Sequence, residues 1–341
     1  MNRHLRLIGR AIVAVAPPSP AGGVALRASF CMAVPLIALF ATDHLEWALY
    51  AGFGAFAAVY GRHATYAHRL WSQLVAGGVL VTVMLIGTLV SFLDAPAPVR
   101  IVVLALVATG VNLISVAMAW APPGPIFAVF ACGACLSIPA AGSAFPAVVA
   151  IGGGTVLLTA VVTVALACRR VPWRRATAFE LTWAATPYGA RRSVLMGASA
   201  LIAGFAAHLV VHERWYWASI AAVAAVTGTD THSRLARGAQ RFLGTAGGVV
   251  LAAALFSLDG PPVLLLGVAI VCQGVIELIV LRNYAIAMTL ITLVALSMVQ
   301  LSAPGPTGAL VGDRLLETLI GVAVGMVLSL GLGLVVRRRA A

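Results

Sequence analysis

The 341-residue chain is 62% hydrophobic and only 9% charged, and its mean hydropathy is +1.04. This composition leaves too little polar surface to enclose a water-soluble domain of that size, so the chain is predicted to be an integral membrane protein solvated by membrane lipid. The net charge of +12 would suggest nucleic acid in a soluble protein, but the arginines are spread over many short segments without a recognition motif, and no nucleic-acid partner is expected.

The first half of the chain carries six apolar stretches. Residues 1–23 are predicted to be a cytoplasmic tail, because arginines and prolines precede the first long apolar run, and residues 24–170 a first six-helix membrane unit. A crossing of the hydrocarbon core needs about 20 mostly apolar residues. The candidate spans lie near 24–42, 47–60, 70–93, 97–119, 124–141 and 144–168.

The second half follows after a short connection. Residues 171–192 are basic and aromatic, which is typical of a cytoplasmic linker lying flat on the membrane or of a plain loop whose charges set the topology. Residues 193–336 are predicted to be a second six-helix unit, and residues 337–341 a cytoplasmic tail. The candidate spans lie near 193–211, 216–228, 240–257, 262–281, 283–301 and 309–336.

The arginines indicate which ends of these spans face the cytoplasm. All but Arg100, Arg214 and Arg314 of the 22 basic residues fall on one side of the twelve-span arrangement. Because short basic loops stay in the cytoplasm, both termini are predicted to lie inside the cell, with the protein in the inner or plasma membrane. Trp217 and Tyr284 are predicted to belong to the outer and inner aromatic belts, respectively.

The two halves are predicted to be repeats of one another. A shift of 170 positions places Trp47-Ala48 on Trp217-Ala218, and a shift of 165 places Asn112 on Glu277. Each half has an even number of crossings, so both copies point the same way about a pseudo-two-fold axis along the membrane normal. The predicted fold class is therefore all-α, a polytopic membrane bundle of about twelve helices in two parallel six-helix repeats.

The sequence lacks the common catalytic motifs. It contains no G-x-x-x-x-G-K-[ST] loop, no H-E-x-x-H and no G-x-S-x-G, so we expect neither an enzyme nor a bound cofactor or metal. Cys132-x-x-Cys135 has the spacing of a redox or metal motif, but it lies in an apolar span without a second pair. We interpret it as two small buried side chains.

Polar side chains at membrane depth are costly, and they are therefore the candidate site residues. Glu277 lies one helical turn from Gln273 and five residues before Arg282. It could exchange protons or form a structural ion pair with an arginine, and the sequence leaves both alternatives open. Asn112 occupies the equivalent place in the first half without a charge.

Arginines at the inner ends of the spans are predicted to form a basic vestibule where the two repeats meet. Arg241 opens a glycine-rich span with Thr245 one turn later, and its planar guanidinium suits a carboxylate. Arg27 and Arg192 are placed at the same vestibule. Four further arginines would extend it: Arg62, Arg69, Arg234 and Arg237. The alternative is that these arginines only set the topology.

Asp313, Arg314 and Glu317 cluster at the start of the last span, near the predicted outer face. They are interpreted as an exit gate or as a mutually neutralising rim. The predicted substrate path comprises eight residues: Arg27, Asn112, Arg192, Arg241, Thr245, Glu277, Arg314 and Glu317.

Three ordered motifs resemble a known family. They are Trp217-Ala-Ser-Ile-Ala-Ala, Arg241-Phe-Leu-Gly-Thr-Ala-Gly-Gly and Arg314-Leu-Leu-Glu-Thr-Leu-Ile-Gly. Together they are similar to the FUSC family, the fusaric acid resistance and aromatic acid exporter group, clearly over about residues 190–336 and more weakly over 24–170. The resemblance implies paired six-helix units that move organic anions out of the cytoplasm. The chain departs from larger members in its short linker and in Trp71-Ser-Gln-Leu-Val-Ala-Gly-Gly, which lacks the arginine and threonine.

The sequence thus favours a secondary transporter, an exporter of small organic or aromatic carboxylate anions that could assemble as a homo-oligomer. Two alternatives remain. One is a passive anion channel, and the other is a membrane scaffold or partner protein that transports nothing.

Overall fold

The computed structural model describes residues 15–17, 21–62, 65–170, 187–211, 214–227 and 231–340. Within these ranges the chain is helical and contains no strand, so the all-α prediction is confirmed. Twelve helices, named here α1 to α12, account for the described ranges, and each predicted span overlaps one of them.

The first half contains α1 to α6, and the second is a short helix flanked by 3₁₀ turns at Leu45–Trp47 and Phe56–Val59. Helix α6 has three consecutive segments with a π-helical stretch in the middle. The bounds are Gly22–Ala41 (α1), Ala48–Ala55 (α2), Tyr66–Phe92 (α3), Ala97–Ala117 (α4), Ile126–Ser137 (α5), and Ala144–Ala147, Val148–Gly153 and Gly154–Arg170 (α6).

The second half contains α7 to α12. The bounds are Pro187–His208 (α7), Tyr216–Ala225 (α8), Thr231–Phe256 (α9), Pro262–Ile279 (α10), Tyr284–Ser302 (α11) and Thr307–Ala340 (α12). Helix α7 begins inside the predicted linker, and α12 continues into the predicted C-terminal tail as far as Ala340. Residues 1–14, 18–20 and 341 of the predicted tails and residues 171–186 of the predicted linker lie outside the described residues.

Eight of the helices in the described ranges are long and apolar enough to cross a membrane: α1, α3, α4, α6, α9, α10, α11 and α12. The protein is therefore a multi-pass membrane protein, and eight of its twelve described helices qualify as crossings by length and composition. Helices α2, α5 and α8 have 8, 12 and 10 residues. Helices of this size are about 12–18 Å long, whereas the hydrocarbon core is about 30 Å thick.

The short helix α8 is enclosed by protein. All of its residues are buried, and it packs against α5, α7, α9 and α12. A helix in the interior is in contact with other helices and not with lipid, so its length does not have to match the bilayer. This explains why the segment 216–228 is apolar and yet too short for a crossing.

Glycines bring backbones close together at the main helix contacts. A Cβ atom at Gly248 of α9 would overlap the Thr289 carbonyl oxygen of α11, and one at Gly321 of α12 would overlap the Ala218 carbonyl oxygen of α8. Small residues at helix interfaces in membranes allow such close van der Waals packing. The glycine-rich span that begins at Arg241 thus packs directly against the backbone of α11.

The helices pair in the same way in both halves. Helix α3 packs against α5 and α6, and α9 packs against α11 and α12. Between the halves, α4 packs against α7, and α10 packs against α1. Each contact thus has a counterpart six helices along the chain.

Hydrogen bonds join connecting segments at the end of the bundle where most of the arginine-bearing connections lie. Ala16 and Arg282 exchange two hydrogen bonds of 3.0 Å, one from the Ala16 amide and one from Arg282 Nε. The Gly61 amide donates to the Ala121 carbonyl over 3.1 Å. The N-terminal segment and the α10–α11 connection therefore share one end of the molecule.

Candidate functional site

A cavity of about 580 Å³ lies between the two halves of the bundle. From the first half it is lined by α1, α2, the α4–α5 connection and α5. From the second half it is lined by one residue of α7 and by α8 to α12. The lining residues are Met32, Leu49, Gly52, Phe53, Phe56, Val59, Arg62, 121–127, Phe130, Arg192, Trp217, Ile220, Thr227, Arg237, Arg241, Gln273, Ile276, Glu277, Val280, Leu281, Tyr284, Met288, Ile291, Val294, Ala295, Met298 and Arg314.

The cavity runs from one end of the bundle deep into its interior. The connections α2–α3, α4–α5, α8–α9 and α10–α11 all contribute lining residues, and all of them lie at the predicted inner end. Along α8 the lining extends from Thr227 to Trp217. Ten residues of helix are about 15 Å long, so the cavity reaches roughly half the thickness of the hydrocarbon core.

Five arginines line this cavity: Arg62, Arg192, Arg237, Arg241 and Arg314. Among the described lining residues, Glu277 is the one carboxylate. The lining thus carries a large excess of positive charge in surroundings of low dielectric constant, and such a surface attracts anions.

Arg241 and Arg237 are oriented by Tyr284 at the start of α11. Arg241 Nη1 donates to the Tyr284 hydroxyl over 3.0 Å and lies 3.6 Å from Met288 Sδ. The guanidinium of Arg237 stacks over the Tyr284 ring at 4.3 Å from its centre. Nε of each arginine is buried and has no hydrogen-bond acceptor among the described residues. Both side chains line the cavity, so a ligand there would meet positive charge from each of them.

Arg314 lies at the deep end of the cavity, far from its mouth, and stacks on Trp217. Its guanidinium carbon is 3.7 Å from the centre of the Trp217 ring, a cation–π contact. Arg314 is 1% exposed, and neither Nε nor Nη1 has an acceptor within the described part of the chain. A buried guanidinium with unused donors is costly unless a ligand satisfies it. Sequence analysis placed Arg314 near the outer face, but the structure places it in the same cavity as Arg241.

An aromatic wall faces these arginines. The ring of Phe130 lies 4.8 Å from that of Trp217 and 5.0 Å from that of Phe53. Phe56 and Phe127 continue the wall, with ring centres 4.6 Å apart. All of these rings except Trp217 belong to the first half, whereas all the lining arginines except Arg62 belong to the second. The cavity therefore has an aromatic side and a cationic side.

Glu277 forms an ion pair with Arg62, which follows α2. Gln273 Nε2 donates to the other carboxylate oxygen of Glu277 over 3.3 Å. Both charged side chains are largely buried, and they join the first half of the chain to the second. The structure thus contains the ion pair that sequence analysis left as one of two alternatives.

The outer cluster divides into separate contacts. Asp313 pairs with Arg214, with Nη1 and Oδ2 3.2 Å apart, and both side chains are partly exposed. Glu317 is fully buried behind Arg314, and neither carboxylate oxygen has a donor among the described residues. The three residues therefore do not form one shared rim.

Four residues of the predicted substrate path lie away from the cavity lining. Arg27 donates from Nε and Nη2 to the Ala58 carbonyl over 3.1 and 2.9 Å, which ties α1 to the end of α2. Asn112 Nδ2 donates to Ser193 Oγ over 2.8 Å and joins α4 to α7. Thr245 and Glu317 are buried outside the lining. The other four, Arg192, Arg241, Glu277 and Arg314, do line it.

The two cysteines of the Cys132-x-x-Cys135 motif lie where α5 packs closely against α3. Cys132 and Cys135 are buried in α5, where a Cβ atom at Gly87 of α3 would lie 2.7 Å from the Cys132 carbonyl oxygen. In the described part of the chain, no group of three or more His, Cys, Asp or Glu side chains could hold a metal ion.

Sequence analysis missed the aromatic side of the cavity. Trp217 and Tyr284 were assigned to aromatic belts, but they are 1% and 9% exposed and lie inside the protein. For Trp217 the shortness of its apolar segment was a usable signal, since a short helix is more often interior. No signal in the sequence indicated Phe53, Phe56 and Phe130, because phenylalanine occurs both in protein interiors and on surfaces that face lipid.

A known protein family matches the second half of the chain. Residues 200–328 match the family model described as fusaric acid resistance protein-like, and this range contains all three motifs on which the resemblance was based. Over 117 residues, 34% of this chain, the sequence is 36% identical to the uncharacterized membrane protein YvaC of Bacillus subtilis (strain 168). That match spans 18% of the relative's length. No solved structure matches the chain. The predicted family resemblance is confirmed.

Proposed function

We propose, from the similarity of residues 200–328 to the fusaric acid resistance protein-like family, that the protein is a secondary transporter that exports small aromatic carboxylates. The observation that carries this proposal is the two-sided cavity, with arginines on one side and aromatic rings on the other. The matched range contributes three of the five lining arginines, Arg237, Arg241 and Arg314, together with Glu277.

An aromatic carboxylate complements both sides of this cavity. Its carboxylate would pair with the guanidinium groups of Arg241 and Arg314, which line the cavity, and charge-assisted hydrogen bonds of this kind are about twice as strong as those between neutral groups. Its ring would lie against Phe130 and Phe53. Pockets of about 300–1,000 Å³ are usual for small ligands, so the cavity volume is sufficient.

The shape of the cavity supports loading from the cytoplasm. The arginine-bearing connections at its mouth are predicted to face inside by the positive-inside rule. At the opposite end, Arg314 on Trp217 and the 3.2 Å pair between Arg214 and Asp313 separate the cavity from the other side. We infer an inward-facing state of a transporter in a cell membrane.

The corresponding helix contacts in the two halves support a parallel repeat. In transporters built from repeats, substrate sites lie at the repeat interface, and movement of one half against the other exposes the site to each side in turn. The cavity is at such an interface, and the Arg62–Glu277 pair connects the two halves at its inner mouth.

Flux of radiolabelled benzoate in proteoliposomes tests the proposal. We expect saturable transport that is reduced at least about tenfold by Arg241→Gln, which removes a charge-assisted hydrogen bond. Arg282→Gln is the matched control, because Arg282 carries the same charge at the same end of the bundle but does not line the cavity. Its flux should equal that of the wild type.

Three other outcomes would contradict the proposal. Folded protein that moves no aromatic or aliphatic carboxylate under any imposed gradient would favour a scaffold. Currents that do not saturate with benzoate concentration would favour a passive anion channel. Equal losses in Arg241→Gln and Arg282→Gln would mean that the cavity is not the binding site.

A further inference from the structure

Glu317 is a buried carboxyl group to which the proposed transport cycle has so far given no role. It lies on α12 one helical turn after Arg314, is fully buried, and does not line the cavity. Neither of its carboxylate oxygens has a hydrogen-bond donor among the described residues. A carboxylate without donors in a dry environment is costly, and binding a proton removes that cost.

The contact between α12 and α8 is tight one turn beyond Glu317. Gly321 touches the backbone of α8 so closely that a Cβ atom there would lie 2.7 Å from that of Ala221. Along α12, the fully buried Glu317 therefore lies between Arg314 and this tight helix contact. Its charge must be balanced by a neighbouring side chain or by a proton.

Few charged groups are near enough to provide that balance. On α12 the neighbouring charged groups are Asp313 and Arg314. Arg214, just before α8, is a third, and the titratable hydroxyl of Tyr216 lies at the start of α8. From α9, Arg241 lies close to Arg314.

Helix α7, which also packs against α12, carries Arg191, Arg192 and His208 at its two ends. Because Arg214 is engaged by Asp313, Arg314 is the counter-charge available to Glu317.

Arg314 therefore has two possible negative partners. One is Glu317, one turn further along α12 and outside the cavity lining, and the other is an anion in the cavity that Arg314 lines. Two negative charges on either side of one guanidinium repel each other strongly where the dielectric constant is low. An incoming anion would thus disfavour the ionised form of Glu317.

We propose that Glu317 is a proton-binding site coupled to the anion site through Arg314. When an anion binds to Arg314, a proton from solvent forms an O–H bond with the Glu317 carboxylate; when the anion leaves, that bond breaks and Glu317 again balances Arg314. No electrons are transferred, and the protein takes up one anion and one proton together. This inference rests on the proposed function, since it needs an anion in the cavity.

The coupling has a definite sign. Each ligand favours the binding of the other, so the affinity for the anion rises as pH falls. Where Glu317 is ionised in the empty protein, the affinity for benzoate falls by up to about tenfold for each unit of increasing pH. Movement of the loaded site across the membrane would then carry no net charge from the two ligands.

Calorimetric titration of the purified full-length protein with benzoate measures this coupling. The titrations are performed between about pH 5 and pH 9 in pairs of buffers with different protonation enthalpies, which gives the number of protons taken up for each benzoate bound. We expect uptake approaching one proton in the wild type and none for Glu317→Gln, whose affinity should be independent of pH. Glu46→Gln is the matched control, because Glu46 is an exposed carboxylate outside the cavity.

The outcomes separate this inference from the proposed function. If the wild type binds benzoate without proton uptake at every pH, the coupling is refuted, whether or not Glu317→Gln folds. If Glu317→Gln binds benzoate with undiminished proton uptake, another group is responsible and the assignment to Glu317 is refuted. If the folded wild type binds no carboxylate at all, the proposed function fails, and the coupling fails with it.

Discussion

The position of Arg314 shows how a single side chain can combine two kinds of recognition. The face of its guanidinium rests on the indole ring of Trp217, 3.7 Å from the ring centre, and its edge carries donors that no described residue uses. Stacking fixes the orientation of the planar group and leaves its hydrogen bonds for a ligand. A lysine at this place would keep the charge but neither the stacked plane nor the paired donors.

Arg314→Lys is therefore expected to weaken benzoate binding. The loss of stacking and of a bidentate hydrogen bond corresponds to about 1–2 kcal/mol, or roughly a fivefold to thirtyfold higher Kd. Titration calorimetry on the purified protein measures it, with Arg282→Lys as the control outside the cavity. An unchanged Kd for Arg314→Lys would show that only a positive charge is needed at this position.

At the scale of the helices, glycines decide which surfaces meet. Gly244 and Gly248 lie one turn apart on α9, and both face the backbone of α11 at Ala285 and Thr289. This contact keeps Arg241, three residues before Gly244, within 3.0 Å of Tyr284. The same helix pair thus provides both the close packing and the position of the guanidinium.

Gly244→Ala is expected to destabilise the protein by about 1–3 kcal/mol. Its new Cβ atom would lie 2.6 Å from Met288 Cβ and would also overlap the Ala285 carbonyl oxygen, so α9 and α11 would have to separate. Unfolding monitored by tryptophan fluorescence in mixed micelles measures the change.

The matched control is Gly267→Ala on α10, where nothing lies within 4 Å of the added atom. This variant should be neutral or slightly stabilised, because alanine favours helix. If Gly244→Ala were as stable as Gly267→Ala, close backbone packing between α9 and α11 would be ruled out.

At the scale of the whole molecule, a largely buried ion pair links the two halves at the mouth of the cavity. Arg62 comes from the connection after α2 and Glu277 from the end of α10, 215 positions later. With Gln273 as a second donor, the Glu277 carboxylate is held on both oxygens. The pair therefore contributes to the relative position of the halves on which the cavity depends.

Removal of one partner leaves the other charge buried without compensation. We expect Arg62→Gln and Glu277→Gln each to lower the free energy of unfolding by about 3 kcal/mol, and the double variant to lose less than the sum of the two. A double-mutant cycle in mixed micelles gives the coupling free energy. Strictly additive losses would mean that the two side chains do not interact in solution.

The amino-acid sequence by itself determined the class of protein, the helix positions and the side of the bundle that carries positive charge. Mean hydropathy and arginine spacing are properties of short segments, and segments partition into a membrane largely one by one. Arg241 and Glu277 could be recognised as candidate site residues for the same reason. A charged residue inside an apolar span stands out in the sequence, whichever helix the span packs against. The three ordered motifs that begin at Trp217, Arg241 and Arg314 together indicated the family.

Only the tertiary structure decided which of these residues meet. Arg314 and Trp217 are 97 positions apart, Phe130 comes from the other half, and their convergence depends on how α5, α8 and α12 pack. The depth of Arg314, the interior position of the short helix α8 and the isolation of Glu317 all follow from that packing. Periodicity within a segment cannot encode them, because a lipid tail and a neighbouring apolar helix present the same nonpolar environment to a side chain.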